Sequence, residues 1–264
     1  MQPMLNIAVR AARAAGNVII RQIDYAQDLP FNEKSRNDFV SDVDRQAESA
    51  IIETILKAYP NHAILAEESG EQGTNDHLWI IDPLDGTTNF LHGFPQYAVS
   101  IALQHKGVLT QAVIYDPLRQ ELFTASRGDG AYLDGRRIRV SKRKHLQGAL
   151  LGTGFPFREG ADFELYLETF RAFSPLSAGI RRAGAAALDL AYIACGRLDG
   201  FWEFGLNIWD IAAGILLIEE AGGIVNSLDK DRDCLASGDI ICGNPAILEE
   251  MENLLEPVIS KYSN

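Results

Sequence analysis

Residues 79–89 read Trp-Ile-Ile-Asp-Pro-Leu-Asp-Gly-Thr-Thr-Asn. The apolar start predicts a buried strand, and the strand delivers two carboxylates, Asp82 and Asp85, where it ends. Pro83 restricts the turn between these two acids. Two acids at the end of a buried strand repel each other unless a cation lies between them. The spacing therefore favours a cation site, although an ordinary strand-to-helix turn remains the alternative.

The residues after this turn suit an anionic ligand. Gly86 lets the backbone approach a ligand closely, and Thr87 and Thr88 can open a helix. Free backbone N–H groups at the start of a helix bind phosphate, and adjacent carboxylates hold hard cations. The stretch is therefore typical of a site that binds metal and phosphate together.

Two further acids follow apolar runs in the same way. If residues 62–66 form a strand beside the one that ends at Asp82, Glu67 lies next to Asp82. Taken alone, Glu67 is typical of solvated surface. Asp210 falls in the first turn of an apolar helix, where it either complements the helix dipole or enters a buried site.

A fourth acidic position, Asp44, lies in the first turn of a helix that Ser41 and Asp42 can cap. Capping alone explains Asp44 as well as a functional role does, and both interpretations stay open. The five histidines show no zinc spacing, and the chain has neither a Walker A sequence nor a GxSxG elbow.

Composition narrows the function further. The chain has 264 residues, 47% of them hydrophobic and 23% charged, which is enough apolar material for one core or two packed subdomains. Its net charge of −12 argues against general nucleic-acid binding, which depends on Lys and Arg that neutralise phosphates. An acidic protein that binds a phosphate ester needs bound metal or a local positive field.

Three cysteines without a CxxC pair indicate reduced thiols and a cytoplasmic location. The first twenty residues predict an amphipathic helix rather than a signal peptide, because Arg10 and Arg13 interrupt the apolar run. No apolar stretch is long enough to span a membrane, so no membrane contact is expected.

Strands cluster before residue 150, and helices alternate with strands after it, which predicts an α+β region followed by an α/β region in packed layers. We expect a single unit over 1–264, with an N-terminal α+β subdomain over 1–147 and a C-terminal α/β subdomain over 148–264. The predicted helices cover 4–23, 42–58, 163–173, 185–194, 208–221 and 246–255. The predicted strands cover 62–66, 78–81, 97–103, 110–115, 121–125, 150–153, 200–204 and 240–242, with a hairpin over 132–138 that turns at Asp134–Gly135.

Several motifs together resemble one known family. WIIDPLDGTTNF and WDIAAGILLIEEAGG are similar to the paired motifs of the inositol monophosphatase family, which comprises magnesium-dependent, lithium-sensitive phosphatases. LAEESGE, DFVSDVDRQAE and GIRRAGAAALDLAYIACGRLDGFWE extend the resemblance over nearly the whole chain. MQPMLNIAVRAAR and LLGTGFPFR look like the bacterial SuhB branch of that family.

The resemblance implies a five-layered αβαβα sandwich, a homodimer, and two or three Mg²⁺ ions in each active site. Carried over by position, one ion would be held by Glu67, Asp82 and the backbone carbonyl of Leu84. A second would be held by Asp82, Asp85 and Asp210, and Glu67 would support a weaker third through water.

The same resemblance implies roles for the remaining site residues. Gly86 and Thr87 amides would bind phosphate, and Thr87 and Asp44 would orient the attacking water, with Glu67 also catalytic. The substrate hydroxyls would face five residues: Asp85, Gly184, Ala186, Glu203 and Asp210. Ser41 stands where the family often has threonine, which retains the hydroxyl.

The implied reaction is hydrolysis of inositol-1-phosphate by direct in-line attack of metal-activated water. Fructose-1,6-bisphosphate, 3′-phosphoadenosine phosphate and NADP remain alternative substrates within the superfamily. The resemblance to the SuhB branch also implies a role in transcription antitermination, in contact with RNA polymerase and Nus factors. The basic run over 136–144 could contact RNA or an acidic protein surface, although a solvated hairpin edge is the plainer interpretation.

Overall fold

A computed structural model describes residues 2–28, 31–35, 38–156, 162–228 and 232–262. One short 3-10 helix, Ile23–Asp28, follows the first α-helix. The α-helices are α1 (Pro3–Gln22), α2 (Asp42–Ala58), α3 (Thr87–Leu91), α4 (Phe163–Phe173), α5 (Ala186–Ala194), α6 (Ile208–Glu220), α7 (Cys234–Ser237) and α8 (Pro245–Tyr262). The strands are β1 (Phe31–Ser35), β2 (Asp38–Ser41), β3 (Ala63–Ala66), β4 (Gly70–Gln72), β5 (His77–Asp85), β6 (Ala98–His105), β7 (Val108–Asp116), β8 (Glu121–Ser126), β9 (Gly130–Leu133), β10 (Arg136–Arg137), β11 (Leu150–Thr153), β12 (Gly179–Arg181), β13 (Gly200–Glu203), β14 (Ile224–Ser227) and β15 (Ile240–Gly243).

The strands form a small hairpin, β1–β2, and two larger sheets. The first large sheet has eight strands in the order β10-β9-β8-β7-β6-β5-β3-β4, and the second has five in the order β12-β11-β13-β15-β14. Most neighbours are antiparallel, but β3 runs parallel to β5, and β11 runs parallel to both β12 and β13. The carboxyl ends of β3 and β5 therefore meet at one edge of the first sheet.

Helices cover both faces of each large sheet and produce five layers. α1 and α2 pack together on the outer face of the eight-stranded sheet, and α5 and α6 fill the space between the two sheets. α8, paired with α4, covers the outer face of the five-stranded sheet. The prediction of an α+β fold built as an αβαβα sandwich is confirmed.

The alternation of side chains along β5 explains why this sheet needs a helix layer on each face. Trp79 and Ile81 pack with α1 and α2, whereas Ile80 packs with the middle helices. Successive side chains of a strand point to opposite faces, so a strand that is apolar throughout must be covered twice. Asp82 follows in the same alternation and lies on the face of Ile80, toward the middle helices.

The middle helices pack closely because their contact residues are small. α6 is buried along most of its length, and a Cβ added at Gly214 would lie 2.4–2.5 Å from atoms of the Leu190 side chain on α5. Gly16 of α1 plays a similar part, since a Cβ there would lie 2.5 Å from the ring of Tyr115. Both glycines weaken their helices locally and permit the close approach that the layers require.

The predicted elements over the main sheet and the middle layer are found with ends shifted by a few residues. The hairpin turn at Asp134–Gly135 is confirmed, and both residues have positive φ angles of 49° and 76°, as an Asp-Gly turn of this kind requires. α8 runs to Tyr262, through Pro257, and is longer than the predicted 246–255. The eight-stranded sheet takes all its strands from before residue 138, and the five-stranded sheet takes all its strands from after residue 149. The subdomain boundary at 147/148 itself stays a prediction. In the described ranges, no helix has the length and apolar character needed to cross a bilayer.

Candidate active site

A cleft of about 340 Å³ opens where the middle helices meet the ends of strands from both large sheets. Its walls come from the end of β5, from the start of α3, from α5 and α6, and from the ends of β11 and β13. Ten of the eleven residues singled out in the sequence line this cleft: Glu67, Asp82, Leu84, Asp85, Gly86, Thr87, Gly184, Ala186, Glu203 and Asp210. The eleventh, Asp44, lies behind the lining and contacts the Thr87 hydroxyl.

Glu67 and Asp82 are brought together by strand pairing. β3 pairs in parallel with β5, with Ala66 opposite Ile81, and the Glu67 N–H donates to the Ile81 carbonyl at 3.1 Å. The next residue of each strand is the acid, so the two carboxylates are neighbours at the sheet edge. The predicted proximity of Glu67 and Asp82 is confirmed.

The end of β5 bends so that Asp82 and Asp85 both face the cleft. The pairing of β5 with β6 shifts register between these two acids, where Pro83 cannot donate to the ladder. The Asp82 carboxylate accepts a hydrogen bond from the Leu84 N–H at 2.9 Å, which fixes the turn. The Leu84 carbonyl lies 3.1 Å from the Thr87 hydroxyl, so this oxygen also belongs to the site.

Gly86 is required by the shape of the turn. Its φ angle is 93°, a conformation that L side chains rarely adopt, and a Cβ there would lie 2.8 Å from the Gln96 carbonyl oxygen. The chain can therefore start α3 directly at the cleft only with glycine at this position.

Asp44 both caps a helix and belongs to the site, so the two interpretations of this residue are compatible. One carboxylate oxygen, Oδ2, accepts from the Ser41 N–H at 2.8 Å and from the Ser41 hydroxyl at 2.6 Å. The other, Oδ1, lies 2.8 Å from the Thr87 hydroxyl. Asp44 is fully buried, and this burial raises its pKa even though these hydrogen bonds act in the opposite direction.

Burial and mutual repulsion act together on the central acids. The pKa of Asp82 is raised well above its usual range, first by burial and then by the nearby charges of Glu67, Asp85 and Asp210. The pKa of Asp85 is likewise raised by burial and by Asp210, although the Ala187 N–H donates to its carboxylate at 2.7 Å. The cleft therefore concentrates negative charge that protons or cations must compensate.

Asp210 lies at the start of α6, as the sequence predicts. Its carboxylate accepts from the Asn207 N–H at 2.7 Å, so it completes a capping box. Ser100, which pairs with Asp82 across β5 and β6, donates its hydroxyl to the Trp209 carbonyl at 3.1 Å. This contact ties the start of α6 to the sheet beside Asp82.

The donor set consists of carboxylate and carbonyl oxygens, the ligands that Mg²⁺ prefers. Among the described residues, no three histidine, cysteine, aspartate or glutamate side chains are arranged as a closed metal cage. This arrangement still fits Mg²⁺, because the ion is usually held by one or two carboxylates together with waters and substrate phosphate oxygens. The fit therefore depends on pairs of acids and on the Leu84 carbonyl rather than on a closed set of side chains.

Several residues of the cleft were given no role from the sequence, among them Asn89, Arg182 and Asp189. Asn89 donates to the carbonyls of Gln96 at 2.8 Å and Ala183 at 2.9 Å, and thereby links the α3 region to the segment before α5. Asp189 and Arg182 also line the cleft. An amide, an acid on an apolar helix and one of two adjacent arginines carry no local signal, because their positions depend on contacts between distant segments.

Comparison with known proteins agrees with this geometry. The chain matches the inositol monophosphatase family over residues 1–260. It is 55% identical to the Nus factor SuhB of Pseudomonas aeruginosa over 263 residues, which cover 97% of each chain. It is 51% identical to the Nus factor SuhB of Escherichia coli K12 over 253 residues, with 95% of each chain covered.

Two solved structures are similar over almost the full length. The extragenic suppressor protein suhB from Bartonella henselae superposes with a TM-score of 0.93 at 46% identity, covering 96% of this chain and 98% of that one. Inositol monophosphatase from Anabaena superposes with a TM-score of 0.85 at 42% identity, covering 96% and 95% respectively. Fold and cleft thus place the chain among phosphatases that generally depend on a metal ion. More particularly, the chain belongs to the inositol monophosphatase family.

Proposed function

We propose that this protein hydrolyses inositol-1-phosphate, or a closely related polyol monophosphate, with Mg²⁺ as its cofactor. The observation that carries the proposal is the convergence of Glu67, Asp82, Asp85 and Asp210 on one cleft beside the Thr87–Asp44 pair. An acidic cleft repels a phosphate ester unless cations are bound there, so substrate and metal are expected to bind together.

The ligand sets that we propose are those that the family resemblance implies, and the structure brings their donor groups to one cleft. Glu67, Asp82 and the Leu84 carbonyl would hold one ion, Asp82, Asp85 and Asp210 would hold a second, and Glu67 would support a third. When bound, Mg²⁺ lowers the pKa of water and neutralises charge on the phosphate oxygens. Asp82 is shared in this assignment, which agrees with the nearness of its carboxylate to those of Glu67, Asp85 and Asp210.

Thr87 and Asp44 act on the attacking water. The Thr87 hydroxyl donates a hydrogen bond to the buried Asp44 carboxylate at 2.8 Å, which leaves the lone pairs of that hydroxyl free to accept a hydrogen bond from water. Glu67, at the sheet edge nearby, accepts the proton that water releases. Water attacks phosphorus in line with the leaving oxygen while the backbone amides of Gly86 and Thr87 hold the phosphate. The bond from phosphorus to the alcohol oxygen breaks, the alkoxide takes up a proton from solvent, and Glu67 returns its proton to solvent.

The remaining residues of the cleft face the alcohol part of the substrate. In this proposal Asp85 and Asp210 serve both the metal ions and the substrate hydroxyls, and Gly184, Ala186 and Glu203, which line the same cleft, contact the substrate alone. The Ala187 N–H donates to the Asp85 carboxylate, so a proposed metal ligand is fixed in place by the first turn of α5, which also carries Ala186.

The test is phosphate release from inositol-1-phosphate by purified protein with Mg²⁺, with a chelator, and with Mg²⁺ plus Li⁺. We expect turnover that needs Mg²⁺ and is inhibited by Li⁺. Fructose-1,6-bisphosphate, 3′-phosphoadenosine phosphate and NADP are measured in parallel, and a higher kcat/KM for any of them would replace inositol-1-phosphate as the substrate. Absence of turnover with every ester, in a folded protein with Mg²⁺, would refute the phosphatase proposal.

We propose a second role as a partner in transcription antitermination, which the names of the Nus factor relatives support. The specific observation is the basic strap, defined as residues 136–144, which starts at the edge strand β10 and crosses the C-terminal ends of α5 and α6. Arg143 pairs with Asp199, but five exposed cations of the strap form no ion pair with a described residue: Arg136, Arg137, Arg139, Lys142 and Lys144. A patch of this kind in a protein of net charge −12 suits a negatively charged partner.

This role is tested with purified RNA polymerase and Nus factors. Reversal of charge at Arg136, Arg137 and Lys142 should weaken association at least tenfold, and the effect should shrink at high salt. Reversal at two exposed cations outside the strap, Arg21 and Lys57, is the matched control. Equal association of both variants would exclude the strap as the contact.

We also propose that the protein is a cytoplasmic homodimer. Among the described residues its three cysteines are free thiols, which agrees with a reducing compartment. Light scattering should give a mass twice the chain mass of 29.0 kDa, and a mass of one chain would contradict the dimer.

A further inference from the structure

Asp189 is a buried acid of the cleft that has no part in the metal, phosphate or water contacts proposed above. It lies in the first turn of α5, its exposed fraction is 2%, and it belongs to the lining of the cleft. No described residue donates a hydrogen bond to its carboxylate, and the nearby Arg182 forms no ion pair with it. A buried carboxylate without donors is costly, so the fold by itself does not explain this residue.

The position of Asp189 places it on the substrate side of the cleft. It follows Ala186 by three residues, so both lie on one face of α5. Its Cβ lies 3.8 Å from the place where a Cβ of Gly152 would be, which puts it against the end of β11. Glu203 packs against Gly154 at the end of the same strand, so the two acids flank β11 at the cleft wall.

The groups next to Asp189 give this part of the cleft acidic, cationic and aromatic side chains together. The Arg182 guanidinium lies 5.1 Å from the centre of the Phe155 ring, and both residues line the cleft. Phe155 is 43% exposed, so an apolar ring surface faces the same space as the acids. A compound with hydroxyl groups on one side and C–H groups on the other matches such surroundings.

We propose that Asp189 is a specificity-determining residue whose carboxylate accepts hydrogen bonds from hydroxyl groups of the substrate's alcohol part. The inference depends on the proposed phosphatase function and names its substrate class, phosphate monoesters of polyhydroxylated compounds. A carboxylate accepts two hydroxyl donors at once, and such bonds replace the water that the buried group has lost. An ester whose alcohol has no hydroxyl leaves Asp189 without donors and is disfavoured.

The test compares two esters with the Asp189→Ala and Asp189→Asn variants. Inositol-1-phosphate carries free hydroxyls, whereas 4-nitrophenyl phosphate carries none. The ratio of kcat/KM for the polyol ester to that for the aryl ester should fall about tenfold to a hundredfold in Asp189→Ala, mainly through KM. Asp189→Asn retains one acceptor, so its loss should be smaller.

Asp199→Asn is the matched control. Asp199 is also a buried acid, but its carboxylate accepts from the Leu150 N–H at 2.8 Å and pairs with Arg143 away from the cleft. This variant should lose thermal stability and keep the wild-type ratio. Asp189→Asn should show the reverse pattern, with a melting temperature equal to or above that of the wild type, because it removes a buried ionisable carboxyl that accepts no hydrogen bond from a described residue.

The outcomes separate this inference from the phosphatase proposal. An unchanged ratio in a folded Asp189→Ala protein overturns the inference, as does a higher Mg²⁺ requirement without a change in ratio. If the wild type hydrolyses neither ester, the phosphatase proposal fails, and both esters are then titrated calorimetrically with Mg²⁺. Selective weakening of polyol ester binding in Asp189→Ala still supports the inference, and equal weakening of both esters refutes it.

Discussion

Asp82 illustrates how one residue can favour function at the expense of stability. It is 2% exposed, and burial together with three neighbouring acids raises its pKa well above the usual range. A charge held in this way destabilises the metal-free fold, because the unfolded chain would expose the same carboxyl to water. In the proposed function the same carboxylate is the ligand that two metal ions share.

Replacing Asp82 by asparagine should separate these two effects. We expect activity to fall by roughly a hundredfold or more, because the shared metal ligand is lost. The metal-free protein should melt about 2–4 °C higher, which corresponds to about 1 kcal/mol of removed repulsion. Calorimetry with a chelator and phosphate release with Mg²⁺ measure the two quantities.

The control for this substitution is Asp76→Asn, which removes an exposed acid whose side chain is 67% accessible and 3.9 Å from Lys106. It should change neither quantity, since an exposed pair of this kind contributes little. A lower melting temperature of metal-free Asp82→Asn would show that the carboxylate stabilises the fold and would contradict the argument.

Gly86 and Gly128 offer a matched pair for the turn at the cleft. Their φ angles are 93° and 83°, but a Cβ at Gly86 would lie 2.8 Å from the Gln96 carbonyl, whereas a Cβ at Gly128 has open space. Gly128→Ala should cost only the conformational penalty of about 1–2 kcal/mol. Gly86→Ala should unfold at clearly lower urea concentration and lose most of its activity, because the backbone itself must move. Equal losses in both variants would contradict the assigned role of the contact.

Single residues differ in how well the sequence reveals them. Asp82 and Asp85 stand out because an apolar strand ends in acids, and the strand pairing confirms that Glu67 joins them. The substrate-facing assignment of Glu203 depended on the family resemblance. Asp189 was not predicted, because a single acid within an apolar helix carries no pattern that indicates a site. The role proposed for Asp189 follows from its contact with the end of β11, which lies more than thirty residues away in the chain.

At the level of elements, four aromatic rings stack at the ends of the strands opposite the cleft. His77 pairs with His105 across β5 and β6 with ring centres 4.3 Å apart, and His62 stacks on His77 at 4.5 Å. Tyr59 continues the stack at 4.6 Å. The Trp79 indole N–H donates to His62 Nδ1 at 3.0 Å, which requires that nitrogen to be unprotonated.

This stack should make the protein sensitive to mild acid. The pKa of His62 is lowered from its ordinary value of 6.5 by burial and then by the charge of His77. A lowered pKa means that the stabilising contribution is present above pH 6.5 and is lost as the pH falls through the folded value. Below pH 6.5 the melting temperature of the wild type should therefore fall relative to that of a variant without this imidazole, with a change in Trp79 fluorescence.

His62→Phe retains a ring for stacking but cannot be protonated, so its melting temperature should depend less on pH in this window. His145→Gln lies outside the stack and should keep the wild-type slope. A wild-type slope in His62→Phe would place the pH sensitivity elsewhere.

Elements with a complete apolar face were predictable, and short edge strands were not. α4 and β11 coincide with their predicted ranges because their periodicity and flanking residues agree. β12 and β14, of three and four residues, exist only through pairing with β11 and β15. The residues of β12 and β14 are half-exposed or exposed, so no local pattern marks them.

Across the whole molecule, the two middle helices, α5 and α6, run from the cleft at their N-terminal ends to the basic strap at their C-terminal ends. The N-terminal ends of α5 and α6 line the cleft, where the backbone carries partial positive charge beside Asp85 and Asp210. Their C-terminal ends, with partial negative charge, meet the basic strap through contacts such as the Val140 N–H with the Ala221 carbonyl. Part of the strap's charge therefore serves the fold, and its exposed cations remain available to a partner.

The molecule as a whole should couple stability to both Mg²⁺ and pH. Asp82 and Asp85 have raised pKa values, so their contribution to the stability of the metal-free protein is full below the ordinary value of 3.8 and is lost as the pH rises. Mg²⁺ needs these groups deprotonated, so its stabilising effect should be absent at low pH and grow toward neutral pH, reaching about 2.7 kcal/mol at a hundredfold excess over the dissociation constant. The melting temperatures measured with Mg²⁺ and with a chelator should therefore diverge as the pH rises.

Asp82→Asn should reduce this difference in melting temperature because it removes both the repulsion and the shared ligand, whereas Asp76→Asn should leave the difference as it is. A difference that is constant with pH would mean that Mg²⁺ binds away from these carboxylates and would overturn the metal assignment.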